Sequence, residues 1–289
     1  MVLVIFGMGE KTMGTRITTL SENTAGGGDF FGEWGLSILV ETDEVRVLVD
    51  TGKGCSMAYN ADTLGIDLSK IDKVVLSHGH FDHTGGLHQL LRRMRKRVDV
   101  IAHPDVWQSK YSRREGNTDR YIGIPFQREE LESEGAVFQL TSQPFQIAQG
   151  VMTTGEISMI NDFEQIDSGL FVKEGTWTPD KVMDDQALIV KTGQGLAVIL
   201  GCAHRGIINT LYHARQITGI PIIHMVIGGA HLLRASEDRL RQTIAALKEF
   251  GVQRMGLCHC TGQPAASQLA QEFGDKFFFN MAGTIVQLP

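Results

Sequence analysis

The chain has 289 residues, of which 42% are hydrophobic and 21% charged, and its formal net charge is −6. This composition is typical of a globular protein with a sizeable core, and it excludes a fibrous or disordered chain. The negative balance leaves no overall basic field, so we predict no nucleic acid and no anionic membrane among its partners, and an anionic substrate has to be held by local groups.

The beginning of the chain and its cysteines bear on the cellular compartment. The opening "MVLVIF" is too short to span a membrane, has no basic leader and is not followed by a small-residue cleavage site. Cysteines occur only at Cys55, Cys202, Cys258 and Cys260, which are too few and too scattered for a disulfide scaffold. We therefore predict a cytoplasmic protein with reduced thiols, and we leave its oligomeric state open.

Apolar runs rich in β-branched residues predict strands throughout the chain. In chain order these are "RITTL", "LSILVE", "VRVLVD", "KVVLS", "VDVIAH", "AVFQL", "GVMTT", "QALIVKT", "LAVILG", "IIHMVIG", "QRMGLC" and "GTIVQL". Helical patterns lie between them in "TGGLHQLLRRMRKR", "GIINTLYHARQITG", "SEDRLRQTIAALKEFG" and "PAASQLAQEFG". In the third pattern Ser236 is the predicted N-cap and Gly251 the predicted left-handed C-cap. Tight turns early and helices between the later strands predict a layered α/β or α+β domain with the helices outside.

We predict one domain over residues 1–289, because no internal repeat and no Pro/Ser linker divides the chain. The least patterned region, residues 92–149, contains "QSKYSRREGNTDRYIGIPFQ". Segments of this kind inside compact domains are usually functional or disordered. We interpret residues 92–149 as an insertion that forms a lid over the substrate, with surface decoration as the alternative.

The stretch "VVLSHGHFDHTGG" places His78, His80, Asp82 and His83 within six positions at the end of a predicted strand. Alternate side chains of extended backbone point the same way, so His78 and His80 can converge on one ion while Asp82 and His83 face a second. A polar loop would explain one histidine, but burying four ligand-type residues without a metal is costly. The spacing predicts two divalent ions, with zinc first and iron, manganese or magnesium as alternatives.

Four short-range ligands cannot complete two coordination spheres, so further ligands have to come from distant strand ends. His204, His231 and His259 each follow an apolar run, in "LAVILGCAH", "MVIGGAH" and "RMGLCHC". We predict His204 and His259 as metal ligands and His231 as a catalytic donor to a developing oxyanion or phosphate oxygen, with metal ligation as the alternative for His231. Asp82 is predicted to act also in catalysis, by orienting a nucleophile or accepting its proton.

The motif HGHFDH followed by TGG at a strand end resembles the signature of the metallo-β-lactamase superfamily. The resemblance implies a four-layer αββα sandwich with a binuclear metal site at one edge of its two sheets. Members typically carry a "PGH" turn where this chain has Glu156, and commonly a bridging aspartate in a "GD" turn where it has Cys202. We assign both residues to the substrate pocket, and we favour a buried, inert thiol over a thiolate ligand for Cys202.

Within the superfamily, "GEWGLSILVET", "VLVDTG", "GCAHRGIINT", "VIGGAHLL" and "CHCTG" resemble one branch, from about Arg16 to Leu288. This branch is the dihydropterin-methyl-ribofuranosyl-aminobenzene phosphate synthase family with its bacterial relatives, the metal-dependent hydrolases. The resemblance implies a condensation in which an arylamine nitrogen displaces pyrophosphate from a dihydropterin methyl diphosphate. The alternative is hydrolysis of a small ester, lactone or phosphoester by a metal-bound hydroxide. A third hypothesis is a sensor that keeps the pocket without catalysis.

A phosphorylated small molecule as substrate calls for cationic side chains near the metals. Arg113, Arg114 and Arg120, all in the predicted lid, are candidates to clamp phosphates, with solvated surface positions as the alternative. The basic run "RRMRKR" lies at the end of a predicted helix, where cations interact favourably with the helix dipole. It therefore does not overturn the prediction that nucleic acid is not a partner.

Overall fold

A computed structural model describes residues 14–116 and 118–289. The opening "MVLVIF" and the prediction attached to it lie outside these described residues. In the part of the chain that is described, no helix is both long and apolar enough to cross a bilayer.

Within these ranges the chain forms a series of strands and helices that alternate along most of its length. The strands are β1 (Thr15–Ser21), β2 (Ser37–Glu41), β3 (Arg46–Val49), β4 (Lys73–Val75), β5 (Val98–Ala102), β6 (Lys110–Ser112), β7 (Arg120–Tyr121), β8 (Ala136–Leu140), β9 (Gln146–Ala148), β10 (Val151–Thr153), β11 (Leu170–Glu174), β12 (Thr176–Pro179), β13 (Ala187–Thr192), β14 (Gly195–Leu200), β15 (Ile223–Gly229), β16 (Arg254–Cys258) and β17 (Ile285–Leu288). The α-helices are α1 (Ser56–Thr63), α2 (Phe81–Thr84), α3 (Leu87–Met94), α4 (Arg128–Ser133), α5 (Ile207–Thr218), α6 (Glu237–Phe250) and α7 (Gln263–Phe273).

Two large sheets carry the fold. The first has the strand order β17-β1-β2-β3-β4-β5-β8, and the second has the order β16-β15-β14-β13-β10-β9. In the first sheet β3, β4, β5 and β8 are parallel neighbours, and in the second β14, β15 and β16 are parallel. Each parallel pair needs a crossover connection, and several of the crossovers here contain a helix that covers a sheet face.

The apolar side chains form three buried layers, which explains why the strands are apolar on both faces. In β14, Leu196, Val198 and Leu200 pack with residues of α5, α6 and α7, whereas Ala197 and Ile199 face the first sheet. The outer face of the first sheet packs in the same way against α1 and α3. The order of layers is therefore helix, sheet, sheet, helix, which confirms the predicted α/β fold class with its αββα sandwich.

Helix α6 begins and ends at the predicted residues. The hydroxyl of Ser236 accepts a hydrogen bond from the backbone N–H of Arg239, at 3.1 Å, and Gly251 has φ of 65°. These contacts satisfy backbone groups that a helix leaves without an internal partner at its two ends.

Residues 92–149 do not form one continuous insertion. The strands β5 and β8 belong to the seven-stranded sheet and β9 to the six-stranded sheet, because their apolar residues are needed in the core. Only β6 and β7 leave these sheets, and they pair with β11 and β12 in a small sheet of order β12-β11-β6-β7, which we call the cover sheet. The cover sheet adjoins the metal-binding motif, since the backbone N–H of Phe81 donates to Ile122 O at 2.9 Å.

Candidate metal centre and its cavities

The predicted ligands meet at the carboxyl ends of parallel strands from both sheets. They follow β4 (His78, His80, Asp82, His83), β14 (His204) and β16 (His259). Three further polar residues stand at the same edge, after β3 (Asp50), β14 (Cys202) and β15 (His231). Parallel neighbours deliver the loops at their carboxyl ends to the same edge of a sheet, and stacking of the two sheets brings both edges together. The structure thus brings together residues that lie up to about 200 positions apart in the chain.

His78, His80 and His204 form the first group. Their ring centroids lie 4.5 to 4.9 Å apart. The Nε2 atom of each is buried and has no hydrogen-bond partner in the described part of the chain. Buried polar atoms rarely remain unsatisfied, because the cost is about 1–3 kcal/mol each. Three neighbouring imidazoles with unsatisfied nitrogens are an arrangement that a cation would complete, and the ligand atoms of His78 and His204 also lie within 4.8 Å of each other.

The surroundings keep these three imidazoles neutral. Burial, followed by the neighbouring histidines, holds the pKa of His78 and His204 well below the usual range. Burial and the charge of Lys110 lower the pKa of His80 to about 3. A neutral imidazole offers a lone pair, which is the form that binds a metal.

Asp82, His83 and His259 form the second group. The Nε2 atoms of His83 and His259 are 3.2 Å apart, and His259 Nε2 is 3.5 Å from Asp82 Oδ2. The opposite nitrogens are held from outside: His83 Nδ1 lies 2.6 Å from Asp50 Oδ2, and His259 Nδ1 lies 2.8 Å from Asn23 Oδ1. Such outer partners orient the ligating nitrogens of a metal site.

Charge balance differs in this second group. Burial opposes a charged His83, but the adjacent Asp50 carboxylate outweighs it and raises the pKa of His83 to about 9. Burial likewise raises the pKa of Asp82, but the hydrogen bond from His259 and the charges of nearby histidines outweigh it, so the pKa of Asp82 is lowered. Asp82 therefore stays an anion, as a metal ligand must.

Asp50 and Asp184 accept hydrogen bonds from the loop that carries His78 and His80. The sequence analysis predicted a role for neither residue. Asp50 is fully buried and accepts hydrogen bonds from Ser77 N and Ser77 Oγ, both at 2.7 Å. Asp184 Oδ2 accepts from Gly79 N, at 2.7 Å, between the first two histidines. The available signal for Asp50 was its position directly after a buried strand in "VLVDTG", whereas Asp184 had none.

Backbone strain is concentrated at the same place. Asp50, Ala203, His231 and His259 all have φ between 48° and 58°, although none is glycine. Such conformations cost on the order of 1–3 kcal/mol each and persist only where the surroundings impose them. The loops are therefore held in shapes that direct side chains toward one point.

Cys202 lies between the two groups. Its Sγ atom is 3.1 Å from His83 Nε2. It shares a set of ligand atoms within 4.8 Å with His78 and His204, and another with His83 and His259. Burial raises the pKa of the Cys202 thiol well above its usual value. The prediction of an inert thiol in the substrate pocket did not anticipate this central position.

His231 lies at the rim of the first group. Its ring centroid is 4.2 Å from that of His204, and its Nε2 is 4.0 Å from Asp167 Oδ2. Its side chain is 22% exposed, which makes it more accessible than the predicted ligands. Its ligand nitrogen also lies within 4.8 Å of the sulfur atoms of Cys202 and Cys260. Its role in catalysis therefore stays a prediction.

The structure does not bring Glu156 or Arg113 to the centre. Glu156 comes shortly after β10 of the second sheet. Its carboxylate hydrogen bonds to His103 Nε2 at 2.9 Å, and its side chain is 41% exposed. Arg113 stacks on Trp177 at 4.0 Å from the ring centroid and pairs with Asp119 at 2.9 Å. Its neighbour Arg114, in contrast, lines the cavity at the site.

Arg114 and Arg120 line the cavity above the two groups, a space of about 270 Å³ that is bounded also by Trp34, Leu233 and Arg234. Arg114 forms a two-pronged pair with Asp167, with N–O distances of 2.6 and 3.2 Å. The Arg120 guanidinium lies over the ring of Phe81, at 4.8 Å from the centroid. The cover sheet thus contributes cations to the roof of this central cavity.

Two larger cavities adjoin the central one. The apolar cavity, of about 660 Å³, shares Trp34, Leu233 and His259 with it. The charged cavity, of about 640 Å³, shares Arg114, Asp167, His231 and Arg234 with it. Its full lining has three arginines, including Arg239, and three aspartates, including Asp162 and Asp238. The candidate centre therefore opens into an apolar space on one side and a charged space on the other.

Comparisons with known proteins agree with this geometry. Residues 35–154 match the family model of the metallo-beta-lactamase superfamily. The chain is 32% identical to the 7,8-dihydropterin-6-methyl-4-(beta-D-ribofuranosyl)-aminobenzene-5'-phosphate synthase of Methanocaldococcus jannaschii, over 96% of this chain and 98% of that protein.

Solved structures show the same relationship. The crystal structure of Tm1679, a metal-dependent hydrolase of the beta-lactamase superfamily, has a TM-score of 0.81 with 32% identity and covers 94% of this chain and 98% of that one. Unliganded yeast PDE1, at 13% identity, a TM-score of 0.59, and coverage of 96% of this chain and 100% of that one, shares the fold alone. The protein belongs to the metallo-beta-lactamase superfamily, on the evidence of its sequence over nearly the whole chain and of the αββα sandwich into which it folds.

Proposed function

We propose that the protein is a two-metal enzyme that condenses a dihydropterin methyl diphosphate with a phosphorylated ribofuranosyl arylamine and releases pyrophosphate. The observation that carries the proposal is that the central cavity shares walls with two others of different chemistry, one apolar and one lined by charged groups that include three arginines. A condensation needs two substrates that meet at one point, whereas hydrolysis needs only one besides water. The identity with the archaeal synthase supports the reaction itself.

In this proposal each group of ligands holds one ion. His78, His80 and His204 hold the first, and Asp82, His83 and His259 hold the second. Divalent ions bound there supply positive charge that neutralises a diphosphate and makes it a better leaving group. The unsatisfied Nε2 atoms of the first group and the short distance between His83 and His259 support these assignments.

The apolar cavity is suited to the pterin. Its rim carries Trp34, Leu233 and Phe279, which are 46%, 47% and 51% exposed, and exposed apolar side chains grouped around one cavity mark a binding site. A planar heterocycle stacked there covers all three. Glu22, also in the wall and only 3% exposed, is held by hydrogen bonds from Thr24 N and His259 N to its two carboxylate oxygens. A second lone pair on each oxygen is left for the amino edge of the ring.

The charged cavity is proposed to hold the phosphate of the arylamine. Its wall includes the guanidinium groups of Arg114, Arg234 and Arg239, together with three aspartates. Guanidinium groups bind phosphate through paired hydrogen bonds. Asp167 pairs with Arg114 and holds it between the charged cavity and the centre, so the phosphate is assigned to the arginine side of this wall.

Asp82 and His231 are assigned the proton and charge handling. The arylamine nitrogen loses a proton as it attacks, and Asp82 is ionised and positioned to accept it. An arylamine is a weak base, so its protonated form gives up its proton readily. A carboxylate is therefore basic enough to accept that proton. His231, at the rim of the first group, donates to an oxygen of the departing diphosphate.

The test is release of pyrophosphate by protein loaded separately with zinc, iron or manganese. We expect pyrophosphate only when both substrates are present. Release from the pterin diphosphate alone would contradict the condensation.

We also infer a cytoplasmic location, which fractionation of cells that produce the native protein would test.

A second candidate is hydrolysis of a small ester, lactone or phosphoester, which the likeness to Tm1679 supports. Turnover of a chromogenic phosphodiester in a single-substrate assay, abolished by loss of His80, would favour it over the condensation. In both cases the cover sheet acts as the roof of the site and supplies Arg114 and Arg120.

A further inference from the structure

Cys202 is not a member of either ligand group, but it lies close to histidines of both. Its Sγ atom lies within 4.8 Å of the ligand nitrogens of His78 and His204, and also of those of His83 and His259. We propose that Cys202 is a metal ligand that bridges the two ions through a single thiolate sulfur. The inference depends on the two-metal centre proposed above, but not on the reaction assigned to it.

The packing of its loop directs the thiol to this position. A β-carbon on the preceding Gly201 would overlap the Ser77 hydroxyl and approach the Asp50 carboxylate, so only glycine lets the loop come this close to the metal-binding motif. The following Ala203 has φ of 49°, a strained conformation for alanine that separates Cys202 from His204. A thiol that only filled space in the core would not require a strained backbone beside it.

Cys258 shows what an inert thiol looks like in the same protein. It packs among aliphatic side chains in the layer between the two sheets, and its sulfur accepts a hydrogen bond from Asn280 Nδ2 at 3.3 Å. Cys202 has imidazole nitrogens around its sulfur instead. The two cysteines are similarly buried, at 6% and 3% exposure, so the difference lies in their neighbours.

Charge also favours a thiolate at this point. The other proposed ligands are five imidazoles and the carboxylate of Asp82, and the buried Asp50 carboxylate lies behind His83, 2.6 Å from its Nδ1. Two divalent ions would bring four positive charges against these two carboxylates, and uncompensated charge is costly in a site of low dielectric. Cys202 would release its S–H proton to solvent on metal binding, and its negative sulfur would reduce the excess.

The sulfur has a consequence for the choice of metal. Thiolate is a soft ligand that favours zinc and iron, whereas magnesium requires oxygen ligands. The inference therefore removes magnesium from the metals considered above.

Cobalt(II) makes the sulfur visible. Metal-free protein reconstituted with cobalt should show a thiolate-to-cobalt charge-transfer band in the near ultraviolet, with two cobalt ions per chain by elemental analysis. Cys202→Ser should lose the band and bind cobalt more weakly, by more than the about 10- to 100-fold that loss of an outer partner costs. Cys202→Asp should keep two ions but lose the band, because a carboxylate bridges without sulfur.

Two matched variants control for the other buried thiols. Cys260→Ser tests the neighbouring sulfur, which groups with Cys202 and His231 but not with the two ligand groups. Cys258→Ser tests the core thiol. Both should retain the band, and circular dichroism should show all variants folded.

The inference is overturned if the band persists in Cys202→Ser, or if it is lost in Cys260→Ser alone. It is overturned equally if the wild-type protein binds two cobalt ions without the band, or binds none. Absence of pyrophosphate release with the band intact would refute the proposed reaction and leave the bridging sulfur standing.

Discussion

Replacement of Lys110 by methionine tests how the cover sheet supports the metal-binding motif. Lys110 Nζ lies 3.0 Å from Asp180 Oδ2 and 2.9 Å from Asp184 Oδ1, and all three side chains are buried. Asp184 in turn holds the backbone N–H of Gly79, between His78 and His80. Lys110 thus neutralises two buried carboxylates, one of which positions the ligand loop.

The expected cost can be worked from these contacts. Removal of one partner from a buried ion pair costs about 3–5 kcal/mol, because the remaining charge is left uncompensated, and here two carboxylates are affected. At about 2.1 cal/mol/K per residue, unfolding of a chain of 289 residues carries an entropy of about 0.6 kcal/mol/K. The Tm should therefore fall by about 5–8 °C. A total stability of about 5–15 kcal/mol leaves the variant folded at room temperature.

The pH dependence has a defined sign. The two carboxylates outweigh burial and raise the pKa of Lys110 above its ordinary value of 10.5. A raised pKa on a base means that the stabilisation is fully present below pH 10.5 and is lost as the pH rises through the folded-state value. The difference between wild type and Lys110→Met should thus persist at neutral pH and diminish only in strong alkali.

The measurement is denaturant unfolding and thermal melting of metal-free protein, together with zinc content after reconstitution. Lys181→Met is the matched control, since Lys181 is an exposed lysine next to Asp180 and should change stability by no more than about 0.5 kcal/mol. If Lys110→Met costs no more than Lys181→Met, or if it stabilises the protein, the proposed role of the buried lysine is refuted.

Three further variants test the site itself. His80→Ala should lose one ion and most activity with the fold intact, because the sheets carry their own core; unchanged metal content by elemental analysis would contradict this. Trp34→Ala should raise KM for the pterin substrate about 2- to 12-fold, since an aromatic contact contributes about 0.5–1.5 kcal/mol, and an unchanged KM would move the pterin out of the apolar cavity. Arg114→Ala should raise KM for the phosphorylated arylamine. The control Arg113→Ala, which alters the outer side of the cover sheet, should leave this KM unchanged. Equal effects of the two variants would contradict the assignment of Arg114 to phosphate binding.

The cluster of candidate metal ligands could be predicted from local spacing. The distances among His78, His80, Asp82 and His83 follow from the geometry of a strand end that turns into a helix, which short-range backbone rules describe. The positions of His204, His231 and His259 were predictable for the same reason, because each directly follows an apolar strand. The caps of α6 were equally local.

Partners that depend on the order of strands could not be predicted in this way. Cys202 meets His83 across 119 positions of sequence, and His83 meets His259 across 176. The strand ends that meet are those of the paired strands β3 and β4 in one sheet and of the neighbouring strands β14, β15 and β16 in the other. Stacking of the two sheets brings these ends together. The hydrogen bond of Asp50 to His83 and that of Asp184 to Gly79 arise from the same packing.

The sequence by itself therefore determined which residue types stand at the strand ends, the layered α/β class and the presence of a metal-binding motif, since these depend on periodicity and short spacing. Only the tertiary structure decided that Cys202 lies between the two ligand groups, that Arg114 faces the site while Arg113 stacks on Trp177, and that Glu156 turns to His103. The physical reason is that the direction of a side chain on a loop is set by the strands and loops packed around it, and these come from distant parts of the chain.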